Sequence, residues 1–220
     1  MIINELQKRF LTAIILLPII VFITIKSHIL FVCLIILILI ISSFEWYNVN
    51  KKKFTFLSIF GFFTILLSIY SAYYLRNYDS KGIALFLWII FVCIFSDMGG
   101  FFLGKIIGGK KITKISPNKT YSGMCGSFIF STFPILFLHF LNYKFFRYEF
   151  LVLSFKTLLL SLLFSLVCQL GDIAVSYFKR KNKIKDSGKL LPGHGGLLDR
   201  IDGIIFVLIL SSILKILKII

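Results

Sequence analysis

Apolar residues run along this chain in long blocks separated by short polar stretches, without the strict alternation of a half-buried strand. Seven blocks stand out, at residues 10–25, 29–44, 54–75, 83–104, 122–141, 155–178 and 203–220. A helix rises about 1.5 Å per residue, so roughly 20 apolar residues cross a hydrocarbon layer about 30 Å thick. The pattern predicts an all-α, polytopic helical membrane protein with about seven transmembrane helices. The second block is short for a full span, and the third and fourth are long enough to break, so counts from six to nine fit the pattern. No repeat, soluble domain or low-complexity linker interrupts it, and residues 1–220 read as a single membrane-embedded domain. The first block follows Lys8 and Arg9 as a signal peptide would. Lys26, Ser27 and His28 then stand where a small-x-small cleavage site would be, so the reading is a retained first helix.

Composition supports the same class: 58% of the residues are hydrophobic. The formal charge of +16 would suggest nucleic acid on a soluble protein. In a membrane chain, loop lysines facing anionic lipid account for it, and no nucleic-acid partner is expected. Cys33, Cys93, Cys125 and Cys168 lie in or beside apolar blocks with no CxxC spacing, and read as small apolar residues. With the N-terminus in the cytoplasm and alternating sides, 17 Lys and Arg residues fall on the cytoplasmic face and 7 on the other, Lys156 at a helix start left aside. That asymmetry favours an odd number of crossings. It puts the two loops rich in glycine and lysine, 105–121 and 179–200, on the cytoplasmic side.

Two solvated basic connectors would explain the lysines of those loops, but not the carboxylates beside them. A carboxylate within a span costs about 2.5–3.5 kcal/mol even on the lenient insertion scale. Asp172 lies inside the sixth block, roughly 10 Å deeper than Lys179 on a regular helix. Gln169, Asp172, Ser176, Lys179 and Arg180 share one helical face and form a polar stripe from the membrane to the basic loop. Either the stripe lines a cavity where a lipid head group meets the loop, or Asp172 makes a helix–helix contact stabilised by Lys179 or Arg180. Asp199 and Asp202, three residues apart at the start of the last block, share a face where a helix N-terminus favours negative charge. One of them suffices for a cap; a pair suits Mg²⁺, a hard ion that takes one or two protein carboxylates and keeps waters. Between the stripe and this pair, Pro192-Gly193-His194-Gly195-Gly196 offers backbone N–H groups to phosphate oxygens. In the first loop, Asp97 sits near the end of the fourth block. Ser116, Lys119 and Thr120, around Pro117, can each donate to a phosphate oxygen. These groups together suggest phosphoryl or nucleotidyl transfer at a membrane surface.

The motif Ser176-x-x-Lys179-Arg180, then Lys185-Asp186-Ser187-Gly188, then Pro192-Gly193-His194-Gly195-Gly196-Leu197-Leu198-Asp199-Arg200-Ile201-Asp202 resembles the signature of the phosphatidate cytidylyltransferases, or CDP-diglyceride synthases. Upstream agreements are Gly171-Asp172, Ser116-Pro117-x-Lys119-Thr120, Asp97 with Gly104-Lys105, and Glu45-Trp46; the resemblance is densest over residues 97–202. It implies transfer of CMP from CTP to phosphatidate within the lipid bilayer of the cell membrane, with the site facing the cytoplasm. It also implies dependence on Mg²⁺ and a second, monovalent cation such as K⁺, and leaves a homodimer open. By analogy Asp172, Asp199 and Asp202 are metal-linked. Lys179, Arg180, Lys185, His194 and Arg200 are phosphate-side catalytic positions, with Asp186 beside them. Ser116, Lys119, Thr120, Asp97, Gly195 and Gly196 are substrate-binding. The chain departs from the family pattern at Val175, where Glu is common, and at Ser122, where Glu or Gln is. A CTP-dependent lipid kinase and a membrane anion transporter are the competing readings. The first would release CDP; the second would show repeated halves, which this sequence lacks.

Overall fold

The computed structural model describes residues 17–51, 54–79, 81–113, 116, 119–141, 153–188, 190 and 195–220. Within them lie α1 (Leu17–Lys26), α2 (His28–Asn50), α3 (Phe56–Asn77), α4 (Gly82–Ile107), α5 (Tyr121–Ser131), α6 (Phe133–Leu141), α7 (Phe155–Lys181) and α8 (Leu198–Ile216). The described residues contain no strand, and Lys111 and Thr120 form an isolated antiparallel bridge. Four helices, α2, α3, α4 and α7, are long and apolar enough to cross a membrane. The chain is an all-α polytopic membrane protein.

Three boundaries differ from the sequence pattern, each for a local reason. The second block is not short: α2 runs to Asn50 because Ser42, Glu45 and Asn50 are buried with hydrogen-bond partners. At 23 residues it reaches about 35 Å, enough to span. The fifth block is two helices, α5 and α6, parted at Thr132. Pro134 falls in the first turn of α6, and a proline there cannot donate to the preceding turn. The last helix starts at Leu198, earlier than hydropathy alone places it, so Asp199 and Asp202 lie within its first turns.

The bundle packs around α4, which touches α3, α5, α6, α7 and α8. Its buried face, with Leu85, Trp88, Ile89, Val92 and Cys93, meets Leu75, Ile135, Phe164, Cys168 and Val207. A second apolar cluster of Trp46, Ile65, Leu198 and Ile205 lies toward the other end. Between membrane helices the hydrophobic effect gives no net drive to associate, so close backbone packing and hydrogen bonds must supply it. Both are present. Ser71 bonds Ser212 at 2.9 Å and Ser96 bonds Ser165 at 2.8 Å, each pair buried and worth about 0.6 kcal/mol in such settings. Gly99, Gly100 and Gly104 of α4 face Gly123 and Gly126 of α5. The backbones approach until a Cβ at Gly123 would sit 2.8 Å from the Gly100 carbonyl oxygen.

The two ends of the bundle are chemically distinct. At one, Arg76 donates to the Thr24 carbonyl at 3.1 and 2.9 Å, and Lys215 pairs with Asp79 at 3.3 Å. At the other, the residues after α4 and after α7 converge.

Candidate active site

The first loop is a small hairpin. Gly108 ends α4 at φ +64°, a conformation that glycine adopts without strain, and its N–H bonds the Gly104 carbonyl. Ile112 then donates to the Lys119 carbonyl at 2.9 Å and Tyr121 to the Lys110 carbonyl at 3.1 Å, closing the ladder at the Lys111–Thr120 bridge. Thr120 caps α5 by accepting from the Gly123 N–H at 3.1 Å. Ser122, at a position where the family pattern favours a longer polar side chain, bonds Thr120 and donates to the Gly108 carbonyl, tying hairpin to helix. Ser116 is half-buried, with its N–H on the Thr113 hydroxyl.

This hairpin delivers Lys119 to α7. Its Nζ lies 2.5 Å from Asp172 Oδ2 and donates to the Gln169 carbonyl at 3.2 Å. The basic partner of Asp172 therefore comes from the other loop, not from Lys179 or Arg180 on its own helix. The predicted stripe holds from Gln169 to Lys179: Ser176 donates to Asp172 Oδ1 at 3.3 Å, and Gln169 donates to the Ser165 hydroxyl at 3.2 Å. Arg180 leaves it; the side chain is exposed and reaches the Ile184 carbonyl at 3.5 Å.

Two glycines explain why acid meets acid. Gly171 of α7 and Gly203 of α8 lie at the helix crossing, where a Cβ on Gly171 would stand 3.2 Å from the Gly203 Cα and one on Gly203 would stand 2.6 Å from the Cys168 carbonyl oxygen. The adjoining residues are Asp172 and Asp202, so the close crossing sets their carboxylates within charge–charge range, with Asp97 of α4 a third member. Asp97 lies on α4 with its side chain exposed, and it joins Asp172 and Asp202 in one acidic cluster. It accepts from the Cys168 thiol at 3.9 Å and feels Lys119 and Arg200. Three carboxylates in mutual reach repel one another unless cations sit between them, and Lys119, Lys179 and Arg200 are placed to do so.

Asp199 and Asp202, expected to act as a pair, take different surroundings. Lys179, buried, lies 2.8 Å from Asp199 Oδ1 and 3.8 Å from Asp202 Oδ2. Asp202 is buried in charge range of Asp172 and Asp97. Asp199 faces the loop instead: Ser187 N–H reaches both its oxygens at 3.1 and 2.9 Å, and Gly196 N–H reaches Oδ2 at 3.0 Å. Gly195, at φ +84°, is needed there, because a Cβ would lie 3.0 Å from Asp199 Oδ2. Lys185, Asp186 and Arg200 are exposed around this loop. His194, Pro192, Gly193 and Pro117 lie outside the described residues.

Sequence reasoning undervalued three residues. Glu45, noted only as part of a resemblance, is buried and accepts hydrogen bonds from Leu197 N–H, Leu198 N–H and the Ser187 hydroxyl. Cys168, read as a small apolar filler, touches Asp97. Val175 is buried in the wall of an apolar groove with Trp46, Gly61, Phe178, Leu198 and Ile205.

The donor set can be tested against a divalent cation. Asp172, Asp202 and Asp97 fit by chemistry: they are hard oxygen donors that feel one another's charge, and that repulsion calls for a cation. Asp199 has both oxygens engaged by amides and Lys179. Among the described residues, no three His, Cys, Asp or Glu side chains are already drawn into metal-binding distance of one another.

The model of the cytidylyltransferase family matches residues 50–217. The phosphatidate cytidylyltransferase of Rickettsia conorii is 33% identical over 219 residues, covering 97% of this chain and 92% of that protein. Those of Staphylococcus saprophyticus and Staphylococcus haemolyticus are 35% and 40% identical, with 63% and 51% of their own lengths matched. The chain thus spans between half and two thirds of the staphylococcal proteins and nearly all of the rickettsial one.

Proposed function

The chain belongs to the cytidylyltransferase family, and from that premise we propose that it transfers CMP from CTP to phosphatidate, giving CDP-diacylglycerol and pyrophosphate. The observation that carries the proposal is the ion pair between Lys119, from one loop, and Asp172 on α7, with Asp97 and Asp202 in charge range, and we read the space beside these groups as the substrate recess. A head group reaching up from the bilayer and a nucleotide arriving from the loops would meet there.

In the proposed step an oxygen of the lipid phosphate attacks the α-phosphorus of CTP in line. The new P–O bond forms as the bond to the bridging oxygen breaks, and pyrophosphate leaves with that electron pair. The nucleophile is already an anion, so no strong general base is required. Lys119, half-buried at the recess, exchanges Asp172 for a phosphate oxygen of the incoming substrate. Lys179, held by Asp199, aims its charge at the same recess and offsets the negative charge that develops on the transferred group. Asp172 and Asp202, with Asp97 nearby, would hold Mg²⁺, which when bound neutralises phosphate oxygens and steadies the leaving group. Ser116, Thr120, the Gly195 N–H and the exposed Lys185 and Arg200 would offer further donors to substrate phosphates.

CTP labelled at its α-phosphorus, incubated with phosphatidate and the purified protein, should yield labelled lipid. A lipid kinase would leave the label in CDP, and a transporter would leave CTP intact; either result overturns the proposal. We place the site in the cytoplasm on the charge asymmetry of the loops. Single cysteines at Lys110 and Lys183, in a background without the four native ones, should resist an impermeant thiol reagent in intact cells. Labelling of either from outside refutes that orientation.

A further inference from the structure

Glu45 is a buried carboxylate with no part in the scheme above. It projects from the last turns of α2 with 4% of its surface exposed. Its Oε1 accepts from Leu197 N–H at 2.9 Å; its Oε2 accepts from Leu198 N–H at 2.8 Å and from the Ser187 hydroxyl at 2.9 Å. The residue at the α8 N-cap is Leu197, whose side chain cannot accept a hydrogen bond. Glu45 supplies that missing cap from a residue about 150 positions away, and places negative charge where the helix dipole favours it. Room for it depends on two glycines: a Cβ at Gly188 would lie 2.6 Å from Oε1, and one at Gly196 would lie 2.6 Å from Oε2.

The contacts continue inward. Ser187 gives its hydroxyl to Glu45 and its N–H to Asp199; Asp199 holds Lys179; Lys179 reaches toward Asp202. We propose that Glu45 is a positioning residue for the transfer reaction, fixing the first turn of α8 and, through Ser187 and Asp199, the aim of Lys179 into the recess. This role rests on the activity proposed above. Glu45 is buried and its hydrogen bonds go to Ser187, Leu197 and Leu198, not to Asp97, Lys119, Asp172 or Asp202, so its loss should spare ground-state binding and act on the geometry of the chemical step. A misplacement of about 1 Å in such a step costs on the order of 100-fold in rate.

The experiment measures kcat and KM for CTP and phosphatidate in lipid–detergent micelles, on protein that is monodisperse by gel filtration. Glu45→Gln keeps the size and one acceptor oxygen but turns an amide NH₂ toward either the Leu197 or the Leu198 N–H, which then loses its acceptor. It should lower kcat by about 100-fold with both KM values within about threefold of wild type. Ser187→Ala, which keeps Glu45 on the helix and cuts only the link inward, should lower kcat by about three- to tenfold in the same manner, and it tests the role even if Glu45→Gln fails to fold. A folded Glu45→Gln or Ser187→Ala protein with wild-type kcat, or one altered in KM alone, overturns the role. Wild-type protein that forms no labelled lipid overturns the reaction and leaves the cap geometry standing, so the two failures are told apart.

Discussion

The recess is flanked by two lysine–aspartate pairs, Lys119–Asp172 and Lys179–Asp199, and they are built for different purposes. The first joins a hairpin to a helix, with side chains 22% and 32% exposed. The second is 8% and 9% exposed, and its aspartate also holds two backbone amides. An ion pair in reach of water is worth about 0–1 kcal/mol and can be traded for another anion at little cost. A buried pair cannot be opened without leaving a charge unpaired in low dielectric. Under the proposed reaction the open pair is the one a phosphate would enter, and the closed pair would be scaffold that carries a useful charge. Similar chemistry at similar distances thus divides into a moving part and a fixed one by burial alone.

The sharpest way to break this comparison is to remove the acids of the recess. Asp172→Asn and Asp202→Asn should each abolish CDP-diacylglycerol formation. The wild-type melting temperature should rise with Mg²⁺ more than either mutant's, since a ligand that binds only the folded state stabilises it. Mutants with full Mg²⁺ response would reassign the metal. Next in size is Lys179→Met, which leaves Asp199 and Asp202 without their shared cation. It should destabilise by about 3–5 kcal/mol and lose activity with the fold, seen as a lowered midpoint in thermal melts. Lys119→Met should separate the two properties: stability within about 1 kcal/mol of wild type, and kcat/KM down by about 10²–10³-fold. A Lys119→Met protein that melts as early as Lys179→Met would erase the distinction between the pairs. The smallest effect is expected at Ser122→Ala, which cuts one tie between the hairpin and α5 and should cost about 1 kcal/mol, with a modest rise in KM for CTP.

The polar stripe on α7 was legible because helical periodicity alone puts Gln169, Asp172, Ser176 and Lys179 on one face. The same periodicity could not show that Arg180 turns away, because that depends on the path of the loop that follows. Asp199 and Asp202 share a face by spacing, yet they sit about 60° apart around α8, enough for one to meet a loop and the other a helix crossing. The crossing itself was marked by Gly171 and Gly203, but a glycine in a sequence does not name the helix it will touch. Lys119 to Asp172 and Glu45 to Leu197 are contacts between elements about 50 and 150 residues apart, and no local pattern encodes them. Hydropathy placed the blocks among the described residues, with 10–16 of the first lying outside them, but Pro134 divided one, and the buried partners of Glu45 and Asn50 let α2 run past the point where its polarity suggested an end.

The tie between Glu45 and α8 also bears on how the chain is made. Synthesis proceeds at about 5–20 residues per second, so roughly 10–30 s separate the emergence of α2 from that of Leu198. Through that interval Glu45 has none of its three donors, and water must take their place. Closing the bundle is therefore the act of a late-arriving helix, and a nascent chain interrupted before residue 198 carries an unsatisfied acid near the membrane surface. Such a chain differs from the finished one in the solvation of this one carboxylate, which only the arrival of α8 removes from water.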